Sequence, residues 1–175
     1  VRGRLKLKAP QTARSFSFQF KFFSKEYPKF VCDDYNDFFL ALVDSPTNKA
    51  IPADHNIAFD ENKNPISVNN AFFTECDKSK CKKTKGCSDC SGGTSSLAGY
   101  FSAADAGATS WLKTSVPVSG GEEFTLDLII FDAGQKKSSG TTNSGYGHQR
   151  DSLVLLDAFA WGSETTIITT TPIVN

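Results

Sequence analysis

The residues of this chain that could do chemistry are its carboxylates and its cysteines. Glu26, Asp33, Asp34 and Asp37, with Asn36 among them, crowd the stretch Glu26-Tyr27-Pro28-Lys29-Phe30-Val31-Cys32-Asp33-Asp34-Tyr35-Asn36-Asp37. Carboxylate and amide oxygens on one loop are the hard ligands that calcium gathers, about six to eight at a time. The stretch lacks the Gly-centred Asp-x-Asp-x-Asp spacing of an EF-hand, so a calcium site here needs donors from elsewhere in the chain. Asp132, closing the apolar run Leu128-Ile129-Ile130-Phe131, and Asp151 and Asp157, flanking Leu153-Val154-Leu155-Leu156, are the distant candidates. A carboxylate inside an apolar strand is costly to bury, so Asp157 must be paired, metal-bound or turned outward. For each of these acids the alternative role is a hydrogen bond that fixes a turn or a strand end.

Of the five cysteines, Cys76, Cys81, Cys87 and Cys90 share a Lys- and Ser-rich stretch that is too polar to fold by burial. Something covalent must hold it. The spacing contains a single Cys-x2-Cys, whereas a zinc ribbon takes two such knuckles, so disulfides and an oxidising compartment are expected. Lys82 and Lys83 centre a basic patch on this loop, with Lys78, Lys80 and Lys85. The patch either attracts sulfated or uronic-acid polysaccharide by charge or is plain solvated surface. Tyr100 and Tyr146 are the aromatic candidates for stacking on sugar rings, while Trp111 and Trp161 sit beside apolar residues and read as core. His55 and His148 are the only imidazoles, and neither lies in a hydrolase motif. The chain therefore reads as a binding protein and not as an enzyme.

These groups need a scaffold, and its period is two. In Ser15-Phe16-Ser17-Phe18-Gln19-Phe20-Lys21-Phe22 the four rings alternate with polar residues, so all project from one face of a strand. Left in water, that face would aggregate, and a second sheet is the simplest cover. Alternation in Leu5-Lys6-Leu7-Lys8 and short apolar runs over 38–43, 57–59, 66–68, 124–131, 153–159 and 165–170 add further strands, separated by Gly, Pro, Asn, Asp and Ser clusters. The strongest helix candidate, 102–111, is only a turn or two. The expectation is an all-β domain, a two-sheet antiparallel β-sandwich of jelly-roll-like form with a disulfide-stapled loop.

With 175 residues the chain suits one domain, here 1–175, read as a fragment of a longer exported protein whose Thr-rich tail, 165–175, can act as an edge strand. Lys plus Arg equals Asp plus Glu at 19 each, which removes the field that draws proteins to nucleic acid. No apolar run approaches the roughly 20 residues of a membrane-spanning helix.

Several blocks in order resemble the choice-of-anchor L family: Phe22-Phe23-Ser24-Lys25-Glu26-Tyr27-Pro28, Tyr35-Asn36-Asp37-Phe38-Phe39, Asn56-Ile57-Ala58-Phe59-Asp60, Pro65-Ile66-Ser67-Val68-Asn69-Asn70, Gly107-Ala108-Thr109-Ser110-Trp111-Leu112 and Ile130-Phe131-Asp132-Ala133-Gly134. The resemblance spans about 13–161 and implies a domain of bacterial surface or secreted proteins, frequent in myxobacteria, that differ in how they are anchored. It also implies a Cys32–Cys76 disulfide, leaving one pair among Cys81, Cys87 and Cys90. The loop between Asp132 and Asp151 is longer than in the family, which bears on any site built from both. The functions expected are an extracellular adhesion module that takes a polysaccharide or another surface protein through calcium-ordered loops, or a structural subunit that self-associates through the edge strand of its tail.

Overall fold

The computed structural model describes residues 1–28, 31, 36–70, 72–80, 90–101, 106–133 and 151–173. Ten strands form: β1 (Arg2–Lys8), β2 (Ser15–Ser24), β3 (Asn36–Asp44), β4 (Ile66–Ser67), β5 (Phe73–Cys76), β6 (Gly107–Thr109), β7 (Leu112–Pro117), β8 (Glu123–Ala133), β9 (Ser152–Gly162) and β10 (Thr169–Pro172). Among the described residues the single helical element is a 3-10 turn at Ser95–Leu97. All pairings are antiparallel. The first sheet runs β1-β8-β3-β4; the second runs β10-β7-β2-β6-β5, with β9 on the other side of β2.

The expected all-β sandwich is what the chain adopts, and its cause is visible in β2. Phe16, Phe18, Phe20 and Phe22 are all 4% exposed or less. Much of their cover comes from the facing sheet, where Phe20 meets Phe39 of β3 at 4.6 Å and Phe16 meets Phe124 of β8 at 5.1 Å, while Phe22 meets Phe73 of β5, in its own sheet, at 5.6 Å. Burying each such ring is worth about 1.5–3 kcal/mol, so this one strand anchors a large part of the core.

The other face of β2 carries a smaller cluster in which Phe23, Leu97 and Ala108 are buried and Phe101, Leu153 and Leu155 pack against them. Beside it Lys21 is 4% exposed and binds both carboxylate oxygens of Glu75 at 2.6 Å. The chain from Cys90 onward covers this face: Gly92 N–H donates to Thr74 O at 3.0 Å, and a Cβ at Gly92 would run into the Glu75 side chain.

Two expectations are corrected. The Cys32–Cys76 bridge is replaced by Cys76–Cys90, with Cα atoms 5.0 Å apart, because the backbone after Cys90 lies along β5; Cys32, Cys81 and Cys87 fall outside the described residues. Within 102–111 no helix is described: 107–109 form β6, and 102–105 lie outside the described residues. The tail supplies β10, Thr169–Pro172, which pairs with β7 and is the outermost strand of the second sheet on that side. The run 57–59 contributes only isolated bridges beside it, Leu42 with Asn56 and Phe59 with Pro65.

Candidate functional site

At one end of the sandwich β2 and β8 finish while β3 and β9 begin, and four chain segments bring polar groups together there. The β3–β8 register sets Asp37 directly opposite Asp132. The turn that leaves β2 carries Glu26 back toward β3, where its Oε2 accepts the backbone N–H of Asp37 at 3.1 Å. Ligand atoms of Glu26, Asp37 and Asp132 all lie within 4.8 Å of one another. Glu26 and Asp37 are buried, at 2% and 1% exposure, and Asp132 is exposed.

Two hydroxyls hold Asp37 from opposite strands. Ser24 Oγ of β2 donates to Asp37 Oδ2 at 2.6 Å, and Ser152 Oγ of β9 donates to the same oxygen. Ser24 Oγ in turn accepts the Glu26 N–H at 2.9 Å, which fixes the turn. Burial pushes the Asp37 carboxyl above the usual aspartate range. The two serine bonds act against that rise, and repulsion from Asp132 and Asp151 adds to it. Like charges set opposite on neighbouring strands destabilise a sheet unless something offsets them. A cation would do so.

The other candidates divide clearly. Asp151 stands beside the cluster, and its carboxylate pairs with Lys25 Nζ at 3.3 Å. Asn36 opens β3, with its Oδ1 buried and without a hydrogen-bond partner among the described residues. Asp157 is turned outward, at a bulge between β2 and β9 where its Oδ1 accepts the N–H of Ala158 at 2.6 Å; it holds a strand irregularity and is not in the cluster. Tyr100 is half exposed and leans on Phe23 at 5.2 Å, far from an open platform. Asp33, Asp34, Lys82, Lys83 and Tyr146 lie outside the described residues. Ser24 and Ser152 were not legible as site residues, since serine at a strand end is unremarkable until the register places two of them on one carboxylate.

The arrangement offers oxygen donors from three separate elements, held by hydrogen bonds and partly screened from water. It has the ligand type that calcium prefers, and among the described residues no imidazole joins it. The family model for the choice-of-anchor L domain matches residues 5–146. The chain belongs to the choice-of-anchor L domain family. Glu26, Asp37 and Asp132 all fall within the matched region, while Ser152 lies beyond it. None of the curated proteins and none of the solved structures compared with the chain matches it. Choice-of-anchor L membership marks the chain as a module of surface-associated bacterial proteins. The disulfide suits that setting. No helix among the described residues is long and apolar enough to cross a membrane.

Proposed function

We propose that this choice-of-anchor L domain is an extracellular binding module that takes a polysaccharide or a partner surface protein at the acidic end of its sandwich, with a calcium ion ordering the loops there. The observation that carries this reading is the convergence of Glu26, Asp37 and Asp132 within 4.8 Å of one another at the junction of β2, β3 and β8. A calcium ion at that point offsets most of the charge of three carboxylates, lowers the penalty on ionised Asp37 and ties the turn after β2 and the start of β3 to the end of β8. Loops at one end of a rigid sandwich are where such modules meet their ligands. The reading is one of recognition, with no turnover assigned to these acids.

The first test uses calcium chloride alone. Calcium at about a hundred times its dissociation constant stabilises a folded protein by about 2.7 kcal/mol. For a chain of this size that is a rise in melting temperature of roughly 5–11 °C. Asp37→Asn abolishes most of this response. A melting curve unmoved by millimolar calcium would remove the ion from the proposal. A glycan array run with calcium and again with chelator then separates the ligands, and binding lost on chelation supports the metal-ordered loop. A blank array with self-association favours a structural subunit. For that second reading the tail strand β10 lies at the margin of the second sheet, with β7 on one side of it, so its other side is the edge that would serve.

A further inference from the structure

The sandwich is open along one side. β1 is the outermost strand of the first sheet, and its register with β8 puts Gly3, Leu5 and Leu7 on the core-facing side, beside Leu128, Leu126 and Phe124. Leu126 is 1% exposed, yet its partner Leu5 is 45% exposed. At Leu5 the core therefore stops beneath β8 and β1 overhangs it, while Leu7 further along the strand still packs against the core. On the same side β9 borders the second sheet: its Trp161 meets Phe124 of β8 at 6.2 Å, and among the described residues β9 pairs with β2 alone. The core-facing residues of β9 include Leu156 at 48% and Phe159 at 41% exposure. An apolar seam thus runs between an overhanging strand above and a recessed strand below.

Both strands have backbone to offer. Val1 and Ile130 exchange N–H and C=O bonds at 2.8 and 2.9 Å, which sets the alternation along β1. It leaves the N–H and C=O groups of Arg2, Arg4, Lys6 and Lys8 pointing away from β8. On β9 the bond from Lys25 N–H to Asp151 O at 3.2 Å sets the register and points the backbone N–H and C=O groups of Ser152, Val154 and Leu156 away from β2. Neither strand contains proline.

Charge decides what can pair there. On β1, Arg2 and Arg4 share Asp127 of β8 and Lys8 pairs with Glu123, so four cations meet two acids and the margin stays positive, with Lys6 in no ion pair among the described residues; on β9, Asp151 is paired with Lys25, while Asp157 meets no base on its own strand. Two copies of β1 side by side would bring cations together. Two copies of β9 centred on Val154 would set Asp151 against Asp157 at both ends. The cross-pairing instead brings the net positive margin of β1 beside Asp157, and it avoids the like charges across a strand pair that are destabilising.

We propose that two copies of this domain dimerise through this seam, β1 of each pairing with β9 of the other. A two-fold axis along the strands places each overhang in the other copy's recess. β1 and β9 both run antiparallel to β8, so the new pairs are parallel. Both seams close at once, which yields a closed dimer and no fibre. Leu5, Leu156 and Phe159 are then covered on both copies.

Sedimentation of the intact domain over a wide range of concentrations tests this. The wild type is expected to reach the mass of two chains. Leu156→Arg, at a half-exposed position, weakens the dimer by about thirtyfold or more, since one apolar contact is lost at each of two seams. Lys6→Glu and Asp157→Lys each weaken it by about tenfold, and mixing those two variants restores a dimer because both of its seams again join opposite charges. Should Leu156→Arg fail to fold, the charge-reversal mixture still decides. A monomer at every concentration, a dimer indifferent to these changes, or a monomer whose β9 amides resist hydrogen exchange because the edge is covered within its own chain would each overturn the proposal.

Discussion

Cutting the Cys76–Cys90 bridge should loosen one face of the second sheet and leave the sandwich standing. The bridged residues are 14 apart in sequence, so the bond closes a short loop. In the chain-entropy account, a loop of about 15 residues withdraws about 3 kcal/mol of freedom from the unfolded state. For a domain of this length, 1 kcal/mol corresponds to roughly 2–4 °C, which predicts a fall in melting temperature of roughly 6–12 °C. The loss is local in origin, because the bond holds the start of the 90–101 segment against β5, and Leu97 of that segment packs with Phe23 and Ala108 beside the Lys21–Glu75 pair. Thermal melts of Cys76→Ala/Cys90→Ala, and of the wild type under reducing conditions, measure the cost. Hydrogen exchange shows its location: amides of β5, β6 and 95–101 should exchange early while β3 and β8 keep their protection. A melting temperature within about 1 °C of the wild type would refute the entropic argument for this loop, and protection lost first in the β3–β8 ladder would refute its location.

Breaking the buried Lys21–Glu75 pair by Glu75→Gln strands a charge at a site only 4% exposed and should cost about 3–5 kcal/mol by chemical denaturation. Replacing both partners, Lys21→Met with Glu75→Leu, should recover most of that loss. Asp127 accepts hydrogen bonds from Arg4 and Arg2, and these hold its carboxyl well below the usual aspartate range. A depressed carboxyl contributes stability above its unfolded value, near pH 4, and loses it as pH falls toward the folded value. Asp127→Asn should therefore cost about 1 kcal/mol at neutral pH, small because both arginines are half exposed, and the gap to wild type should close under strong acid. A gap that persists or widens in acid would show that the ion pairs are not its source.

The sandwich was legible where sequence alternation and burial coincide. The four phenylalanines of β2 announced a covered face, and the apolar runs of β3, β8 and β9 announced its neighbours. β7 alternates equally well, with Leu112, Thr114 and Val116 inward, but two of its three outward residues are small or ring-constrained, so the run lacks the apolar weight that marks a strand. β6 is three small residues, Gly-Ala-Thr, and owes its existence to its neighbours: Gly107 packs against the Tyr27 ring, and Thr109 Oγ1 accepts the Phe22 N–H. The acidic site was half legible. Its members stood among eight candidates, but only the β3–β8 register, which no local pattern encodes, could select Asp132 over Asp157. The disulfide followed the same rule, since Cys90 reaches Cys76 through a backbone path that spacing does not reveal.

The placement of β2 has a kinetic consequence. Its partners β6, β7 and β9 lie at 107–109, 112–117 and 152–162, and β1 waits for 123–133. Such long-range closure is slow, on the order of milliseconds to seconds for all-β topologies. Until β6 and β7 have been made, with 117 of the 175 residues in place, the ring-bearing ribbon near the start has no strand of its own sheet to zip onto. A polypeptide that must traverse a membrane pore before it folds gains from this delay, because it remains threadable for as long as its closing strands are still inside.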